Sequence, residues 1–243
     1  MNIPFKRIAI VFLFSSFLVT CREDDEPTLP ACRLVKLETP VAIFVYEYDG
    51  DVLVSRTATS AISGDLIKKV NYEYDDAGNL VKLTAPGEEG ILTYRNGQIV
   101  RQESMGAFVF NQTDYEYSGD KLVKVQYYEA SGFDKAGYTT LEYEGSNVVI
   151  AKTYRATGTL RKTEEFTHGD KYSPFLALPA AYVKLLKLED FSVGSNLLHY
   201  KNSDGIDIDY NSEFNDEGFA TKTTSTYNDG DQDTRFFTYV CRN

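Results

Sequence analysis

The sequence predicts an all-β fold, an antiparallel meander of about eight repeated β-hairpins with one short helix near residues 179–188. Three observations predict it. Residues 72–83 carry a complete hairpin signature, weaker copies recur at a regular spacing, and one segment near residue 180 interrupts the pattern. These observations define an architecture and leave the chemical activity of the protein open.

The hairpin signature is Tyr72–Leu83, which reads YEYDDAGNLVKL. Two runs that alternate apolar and polar residues flank Asp-Asp-Ala-Gly-Asn, and such residues tolerate the backbone conformations of tight turns. Copies recur every 20 to 26 residues and align on an aromatic residue before the turn and a second residue after it. With a strand at either end they predict up to roughly eighteen short strands. The aligned pairs are Tyr48 with Leu53, Tyr74 with Leu80, Tyr94 with Ile99, Tyr117 with Leu122, Tyr143 with Val148, Phe166 with Tyr172, Phe191 with Leu197 and Phe214 with Phe219.

One segment departs from the hairpin pattern. Pro179 is followed by Ala180–Leu188, in which apolar residues recur every three or four positions. Because proline is favoured in the first turn of a helix, the segment predicts one short amphipathic helix. Such a helix caps an open end of the sheet or plugs a barrel, as a buried structural element rather than a functional lid.

Residues 1–20 predict a signal peptide. Lys6 and Arg7 precede an apolar run over 8–19, which is too short to span a bilayer as a stable helix. The sequence LVTC that ends at Cys21 resembles the lipobox of bacterial lipoproteins. This resemblance implies cleavage before Cys21 and acylation of that cysteine, which would anchor the protein without spanning the membrane. The alternative is an ordinary secretory signal with an incidental cysteine.

Residues 21–31 predict an acidic flexible tether before a single domain at 32–243. Arg22–Glu26 is charged and is followed by Pro27 and Pro30, a composition that buries too little apolar surface to fold. The acidic stretch also resembles the surface-export signal of Bacteroidetes-type lipoproteins, although a plain linker would have the same composition. We therefore expect an outer-membrane lipoprotein of the cell envelope, exposed at the cell surface if the export signal is functional.

The charge of the chain narrows the set of partners. The formal net charge is −11, and removing Lys6 and Arg7 with the signal peptide makes it two units more negative. Such a surface repels phosphate backbones, so nucleic acid is excluded as a partner. The expected partners are the membrane, through the lipid on Cys21, and a glycan or another envelope protein.

Cys32 and Cys241 are the remaining cysteines, and they lie in the first and last strand-like segments. An even pair in an oxidising envelope is a disulfide candidate. In the entropy model, closing a loop of about 200 residues stabilises a protein by roughly 4–5 kcal/mol. Two buried free thiols are the alternative, and either arrangement suggests that the ends of the domain lie close together.

A soluble sheet and a membrane-embedded barrel both have strands with one apolar face. A membrane-spanning strand needs about nine to eleven residues, whereas the apolar faces here run about three residues, or roughly 13 Å. Lys82 and Lys124 lie just past their turns, where an apolar band would have to continue. These features favour a water-soluble sheet, with an integral outer-membrane pore as the alternative.

Several features together resemble a group of uncharacterised Bacteroidetes-type lipoproteins with a porin-like β fold. The resemblance rests on the Cys-Arg-Leu start at Cys32, the Tyr-x-Tyr hairpins, the interruption over 173–179 and the terminal Tyr239–Cys241. It implies a sheet rolled into a barrel-like shape in the cell envelope, and it implies no activity. The hairpin Tyr74–Leu80 is also weakly similar to the tyrosine-aspartate (YD) repeats of Rhs-type shell proteins.

Residues suited to catalysis or metal binding are sparse. His168 is interpreted as a solvated turn residue and His199 as a strand residue, and neither has neighbours at metal-ligand spacing. We therefore expect no catalytic residues, no cofactor and no metal. The best cation candidate is the acidic turn with Asp229, Asp231 and Asp233, whose oxygens suit calcium, although a solvated turn is favoured.

The first functional hypothesis is a non-enzymatic, lipid-anchored binding or scaffold module. The aromatic residues fall on the repeat period, which indicates core packing rather than a ligand platform. The alternative is a surface glycan-processing hydrolase, since glycoside hydrolysis requires two carboxyl groups about 5–10 Å apart. Carboxylates are so abundant that the sequence cannot identify such a pair.

Overall fold

The computed structural model describes residues 32–106, 110–128 and 134–242, and these form a closed barrel of sixteen antiparallel strands. Each strand pairs with the next strand along the chain, and the last strand pairs with the first. One short helix interrupts the meander. The predicted all-β, barrel-like meander with a helix near residues 179–188 is therefore confirmed.

The strands are six to thirteen residues long, and most have eight to ten. Eight of the sixteen described strands reach the roughly nine residues that a membrane-spanning strand needs and eight are shorter, so strand length alone does not separate a water-facing barrel from a lipid-facing one. The interruption comprises a 3₁₀ turn at Pro174–Ala177 and the helix α1 at Ala180–Glu189. The strands are β1 Cys32–Glu38, β2 Ala42–Asp49, β3 Val52–Ser60, β4 Leu66–Tyr74, β5 Leu80–Ala85, β6 Glu88–Arg95, β7 Gln98–Gly106, β8 Phe110–Ser118, β9 Lys121–Tyr128, β10 Lys135–Glu144, β11 Asn147–Arg155, β12 Leu160–Tyr172, β13 Ser195–Asn202, β14 Asp207–Phe214, β15 Ala220–Tyr227 and β16 Gln232–Cys241.

The two ends of the barrel differ. The end that we call the helix end contains the start of β1, the end of β16, the connection with α1 and the turns of the hairpin signature, such as 75–79 and 96–97. The far end contains the alternate turns, such as 61–65 and 86–87. Because successive strands run in opposite directions, the chain order assigns every turn to one end.

The barrel has fewer strands than the roughly eighteen that eight hairpins predict. The copy at Phe166–Tyr172 is not a hairpin, because β12 continues through it and pairs with β13 with register shifts at His168. Gly169 allows a close approach rather than a turn, since a Cβ there would lie 2.6 Å from Oδ1 of Asn196. The copy at Phe191–Leu197 is the return from α1 into β13. The two copies together form one hairpin with α1 inserted.

Tyrosines at the helix end of six even-numbered strands connect neighbouring hairpins. Each donates a hydrogen bond of 2.7–2.9 Å to a main-chain carbonyl oxygen of the preceding strand. In β12 the equivalent position is occupied by His168, whose Nε2 lies 2.9 Å from the carbonyl oxygen of Val148. We call these tyrosine bonds the tyrosine ladder; they run from Tyr48 to Leu34, Tyr74 to Leu53, Tyr94 to Leu80, Tyr117 to Ile99, Tyr143 to Leu122 and Tyr239 to Ala220.

A β-bulge accompanies most helix-end turns. The register shifts by one residue at Glu47/Tyr48 and at Thr93/Tyr94, and similar shifts occur in β4–β5, β8–β9, β10–β11 and β14–β15. An extra residue on one strand restarts the inward–outward alternation. As a result Arg56 and Gln102 face the interior three residues after the buried Leu53 and Ile99.

Apolar side chains fill the interior, whereas the outer wall is rich in ion pairs. The fully buried residues include Leu34, Leu53, Leu80, Ile99 and Phe219. Exposed apolar side chains also occur outside the barrel, for example Val45 and Phe236. Six lysine–glutamate pairs, with N–O distances of 2.6–3.0 Å, form the outer ion-pair girdle from β2 to β15; they are Lys69–Glu47, Lys82–Glu89, Lys124–Glu116, Lys152–Glu142, Lys201–Glu165 and Lys222–Glu213.

The helix α1 lies inside the barrel at the helix end. It begins after Pro179, whose carbonyl oxygen accepts hydrogen bonds from the backbone N–H groups of Tyr182 and Val183. Tyr182 and Leu185 are almost fully buried, and the ring of Tyr182 packs edge-on against Tyr72 of β4 at 5.0 Å between centroids. The helix therefore plugs the barrel, which is one of the two arrangements that the sequence predicts. Within the described ranges, no helix is both long enough and apolar enough to cross a membrane.

The two ends of the domain meet at the helix end. Cys32 and Cys241 are register partners in β1 and β16, and their Sγ atoms are bonded. The bond joins residues 209 positions apart in sequence. It therefore reinforces the strand pairing that closes the barrel.

Candidate functional site

Two cavities lie inside the barrel, and Glu189 at the end of α1 lines both of them. The Arg56 cavity has a volume of about 650 Å³, and the Arg235 cavity has a volume of about 480 Å³. Small-molecule sites usually have volumes of about 300–1,000 Å³. The Arg56 cavity extends to Pro86 and Gly87 in a far-end turn, so it is reached from the end opposite α1.

Three polar side chains converge where α1 meets the wall of the Arg56 cavity. The hydroxyl of Tyr182 accepts a hydrogen bond from Nη1 of Arg56 at 3.3 Å. The same oxygen accepts a second bond from the hydroxyl of Tyr72 at 3.2 Å. Burial raises the pKa of the Tyr182 hydroxyl above the ordinary tyrosine value, so this group is a protonated donor at neutral pH.

Glu189, the last residue of α1, lines both cavities. Its Oε1 accepts a hydrogen bond from Nε2 of Gln102 at 3.3 Å, and Oε1 of Gln102 accepts one from the hydroxyl of Tyr115 at 2.8 Å. The side chain of Glu189 is open to the cavities, yet the surrounding wall displaces much of its bulk water. This desolvation raises the pKa of the Glu189 carboxyl, and the hydrogen bond from Gln102 opposes it.

The Arg235 cavity has an aromatic side and a polar side. On the polar side Ser212, Thr223 and Arg235 are cross-strand neighbours in β14, β15 and β16, and the two hydroxyl oxygens lie 2.8 Å apart. The aromatic rings that line this cavity are Phe166, Phe175, Phe191, Tyr200, Tyr210 and Phe237. Such a combination can hold a small molecule with both apolar and polar faces.

Three carboxylates also line the Arg235 cavity, those of Glu164, Glu189 and Asp190. Glu164 is already paired, because its Oε1 lies 2.8 Å from Nζ of Lys162 and accepts a hydrogen bond from the hydroxyl of Tyr200 at 2.8 Å. Asp190 accepts hydrogen bonds from the backbone N–H and the hydroxyl of Ser192. Glu189 is therefore the cavity carboxylate with the fewest polar partners.

Several residues of the predicted sites fall elsewhere. The predicted signal peptide at 1–20, the predicted lipidation site Cys21 and the predicted tether at 21–31 lie outside the described residues. Asp229 and Asp231 belong to a far-end turn, where Oδ1 of Asp229 accepts a hydrogen bond from the N–H of Asp231. Asp233 lies on β16 and accepts a bond from the hydroxyl of Tyr227 at 2.9 Å. Within the described ranges these three carboxylates do not converge into a metal-binding group.

One group of three potential metal ligands comes together in the part of the chain that the structure describes. It consists of Cys32, Cys241 and Glu217, whose ligand atoms lie within 4.8 Å of one another. The two sulfur atoms are bonded to each other, so they are not available as thiolate ligands.

The two histidines have different environments. The prediction that His168 is a turn residue is wrong, because it lies within β12 with Nδ1 at 3.3 Å and Nε2 at 2.9 Å from two carbonyl oxygens. The prediction that His199 is a strand residue is confirmed by its place in β13. Its Nδ1 lies 2.8 Å from Oδ1 of Asp209, on an exposed cross-strand pair.

Sequence reasoning missed the residues that converge in the Arg56 cavity. Arg56, Gln102, Tyr182 and Glu189 come from β3, β7 and α1, and no spacing in the sequence relates them. The one available signal is a polar residue three positions after a buried anchor, as in Leu53 to Arg56. That signal has meaning only when the bulge is known.

The barrel is similar to solved structures of porin-like proteins. One is a porin-like protein from Bacteroides uniformis ATCC 8492, with a TM-score of 0.61 and 14% sequence identity over 88% of this chain and 97% of that one. Another is a porin-like protein from Bacteroides vulgatus ATCC 8482, with a TM-score of 0.54 and 13% identity over 86% of this chain and 98% of that one. No protein-family model matches the chain, and no curated protein matches it in sequence. The likeness shows that this chain shares the porin-like β fold.

Proposed function

We propose that this protein is a lipid-anchored protein of the cell envelope whose barrel is a non-enzymatic binding module for a small ligand, such as a glycan. The observation that carries the proposal is the pair of cavities beside α1. Concave cavities lined by apolar and aromatic side chains and a few polar groups are the usual form of small-molecule sites. The shared fold with porin-like proteins is consistent with an envelope location.

The position of the N-terminus suggests an orientation for the barrel. A lipid on Cys21 is followed by the tether at 21–31, which spans at most roughly 40 Å. Because β1 begins at the helix end, that end would face the membrane. The far end, through which the Arg56 cavity is reached, would then face away from the membrane and be accessible to ligand.

The outer ion-pair girdle supports a barrel that faces water rather than lipid. A lysine or arginine on the lipid-facing side of a membrane barrel costs about 2–4 kcal/mol at the bilayer midplane. The six lysine–glutamate pairs are distributed from β2 to β15, so most of the outer wall would carry this unfavourable energy if it faced lipid. The helix α1 also packs against the apolar core inside the barrel and so obstructs the lumen, which a pore leaves open.

Anchoring and wall polarity can be tested separately. The full chain and its Cys21→Ala variant would be expressed in a bacterium and the cells fractionated. We expect the wild type in membranes and the variant in the soluble fraction.

The polarity of the outer wall is tested on residues 31–243, which would be purified without detergent and examined by size-exclusion chromatography with light scattering. A monodisperse soluble protein is expected. Recovery only in detergent would contradict the water-facing wall.

Ligand binding in the interior can be tested with cavity-filling variants. Ser104→Trp fills the Arg56 cavity and Ser212→Trp fills the Arg235 cavity, whereas Thr93→Trp adds the same ring to the outer wall. Binding would be measured by calorimetry with saccharides selected from a glycan array. We expect one interior variant to abolish binding and the outer variant to leave it unchanged. Equal binding by all three variants would contradict an interior site.

A glycan-processing hydrolase is the second candidate function, and Glu189 is the observation in its favour. Burial raises the pKa of its carboxyl, as in a general acid, and Glu164 and Asp190 line the same cavity. The test is turnover of chromogenic glycosides by the wild type and by Glu189→Gln. Turnover that the substitution abolishes supports the hydrolase, and its absence in the wild type contradicts it.

A further inference from the structure

We propose that the Arg56 cavity binds its ligand through an anionic group, a carboxylate, sulfate or phosphate, which Arg56 and Tyr182 recognise together. The inference rests on the proposed binding function and names the chemistry of the ligand at that site. For a glycan, it specifies an acidic saccharide. Three observations support it: the missing ion-pair partner of Arg56, the unused proton of Tyr182 and the environments of the other charged groups of the cavity.

Arg56 faces the interior without an ion-pair partner among the described residues, although the carboxyl of Glu189 is near enough for each group to affect the pKa of the other. Its guanidinium lies 5.6 Å from the ring centroid of Phe44 and donates to the phenol oxygen of Tyr182, but it forms no ion pair with the carboxylates that the structure describes. By contrast Arg101, on the outer wall, forms a bidentate ion pair with Asp114. A guanidinium has five N–H donors, and a partly buried cation is stabilised when they are paired. The anionic group of a ligand would supply the missing partner.

The hydroxyl of Tyr182 has a proton left to donate. Its oxygen already accepts from Arg56 and from Tyr72, and it donates to no acceptor among the described residues. A phenol has one O–H donor, so that donor is free to bond a ligand in the cavity that Tyr182 lines. Arg56 and Tyr182 thus offer adjacent donors, the arrangement that recognises an oxyanion.

The other charged groups near the cavity leave the donors of Arg56 free. Lys68 is paired with Glu88, and Glu89 belongs to the outer ion-pair girdle through Lys82. Within the described ranges Glu189 forms no ion pair and accepts one hydrogen bond, from the neutral amide of Gln102; desolvation raises the pKa of its carboxyl and so favours the uncharged form, which does not repel an anion. Arg56 is therefore the cavity cation with unsatisfied donors in the part of the chain that the structure describes. The cavity volume of about 650 Å³ accommodates a monosaccharide or a compound of similar size.

The test compares an acidic probe with its neutral counterpart. The full chain, purified from membranes in mild detergent, would be titrated at low ionic strength with glucuronate, glucose and inorganic sulfate. Affinity would be measured by calorimetry. We expect glucuronate and sulfate to bind, and glucuronate to bind at least tenfold more tightly than glucose.

Variants test whether Arg56 and Tyr182 cause the preference for glucuronate over glucose. Arg56→Gln should reduce glucuronate affinity by about tenfold or more, because a charge-assisted bidentate contact is lost. Tyr182→Phe should reduce it by about tenfold, as expected for the loss of one hydrogen bond to a charged acceptor. Arg101→Gln removes an equal charge from the outer wall and should leave the affinity unchanged. If Arg56→Gln does not fold, as judged by circular dichroism, Arg56→Lys and Tyr182→Phe carry the test, since both should weaken binding.

The outcomes separate this inference from the proposed function. One outcome supports the binding module and overturns the anionic recognition. In it, glucose binds the wild type as tightly as glucuronate does, Arg56→Gln binds both sugars with unchanged affinity, and Ser104→Trp binds neither. Loss of glucuronate and sulfate binding in Arg56→Gln alone supports both. If neither anion binds the wild type, the anionic recognition is overturned, and the calorimetry with array-selected saccharides decides the proposed function.

Discussion

The hydroxyl of Tyr94 in β6 donates a hydrogen bond to the carbonyl oxygen of Leu80 in β5, over a distance of 2.9 Å. The same contact recurs around the helix end as the tyrosine ladder. It explains why a tyrosine precedes most of the helix-end turns: the ring packs in the core while the hydroxyl satisfies a backbone carbonyl between hairpins. Burial raises the pKa of Tyr94 to about 12, so the hydroxyl stays protonated at neutral pH.

Removing one hydroxyl of the tyrosine ladder should destabilise the barrel. Tyr94→Phe keeps the ring and leaves the carbonyl of Leu80 without this donor, which should cost about 1 kcal/mol of unfolding free energy. Urea unfolding followed by circular dichroism measures it. Tyr154→Phe is the control, because its ring stacks on Tyr138 and its hydroxyl makes no hydrogen bond within the described ranges. Equal stability of the two variants would contradict the role of the ladder.

Removing the bond between Cys32 and Cys241 should lower stability without opening the barrel. Replacing both by serine should cost about 2–5 kcal/mol, because the bond constrains a very long loop in the unfolded chain. The total β-sheet content, measured by far-ultraviolet circular dichroism, should be unchanged. The wild type in reductant should match the double variant in urea unfolding. Two free thiols in the unreduced wild type, titrated after unfolding, would show that the bond does not form.

Glu189 should make stability depend on pH. Because its carboxyl has a raised pKa in the folded protein, the native state holds that proton more tightly than the unfolded chain. Its ionisation therefore lowers stability as pH rises from the ordinary carboxyl range through the raised value. Relative to the wild type, Glu189→Gln should gain stability across that window.

The matched comparison for Glu189 is Glu47→Gln, which should behave in the opposite way. Hydrogen bonds from Ser55 and Lys69 lower the pKa of Glu47. Its contribution is present above the ordinary carboxyl range and is lost as pH falls through the lowered value. Thermal unfolding over a pH series measures both variants. Parallel curves for the wild type and Glu189→Gln would contradict the assignment of Glu189.

Even a small side chain at position 169 should destabilise the barrel. A Cβ at this position would lie 2.6 Å from Oδ1 and 2.8 Å from Nδ2 of Asn196, whose Oδ1 accepts a hydrogen bond from the N–H of Lys171. Gly169→Ala should therefore cost about 1–3 kcal/mol, in the range of overpacked sites. Gly90→Ala is the control, since its nearest neighbour would be a flexible Leu83 side chain at 3.4 Å. Urea midpoints compare the two, and equal losses would contradict a specific clash at Gly169.

Much of the fold was predictable because its signals are local. The turn residues between Tyr74 and Leu80 favour a tight turn whatever surrounds them, and Pro179 favours a helix start in the same way. The copies at Phe166 and Phe191 were misread, because Gly169 has the composition of a turn but its role depends on Asn196, which is distant in sequence. Composition cannot distinguish a glycine that turns from one that allows a close approach.

By itself the sequence determined the repeated hairpins, the aromatic residue before each turn, the short helix and the placement of cysteines at both ends of the domain. Only the tertiary structure decided that the barrel closes at sixteen strands, that the side chain of Arg56 points into the interior and that it donates a hydrogen bond to Tyr182. The physical reason is that turn preference and alternation act between neighbours in the chain. Whether a side chain points into the barrel depends instead on bulges, strand register and the closure of the barrel. These relate residues as far apart in sequence as Arg56 and Tyr182.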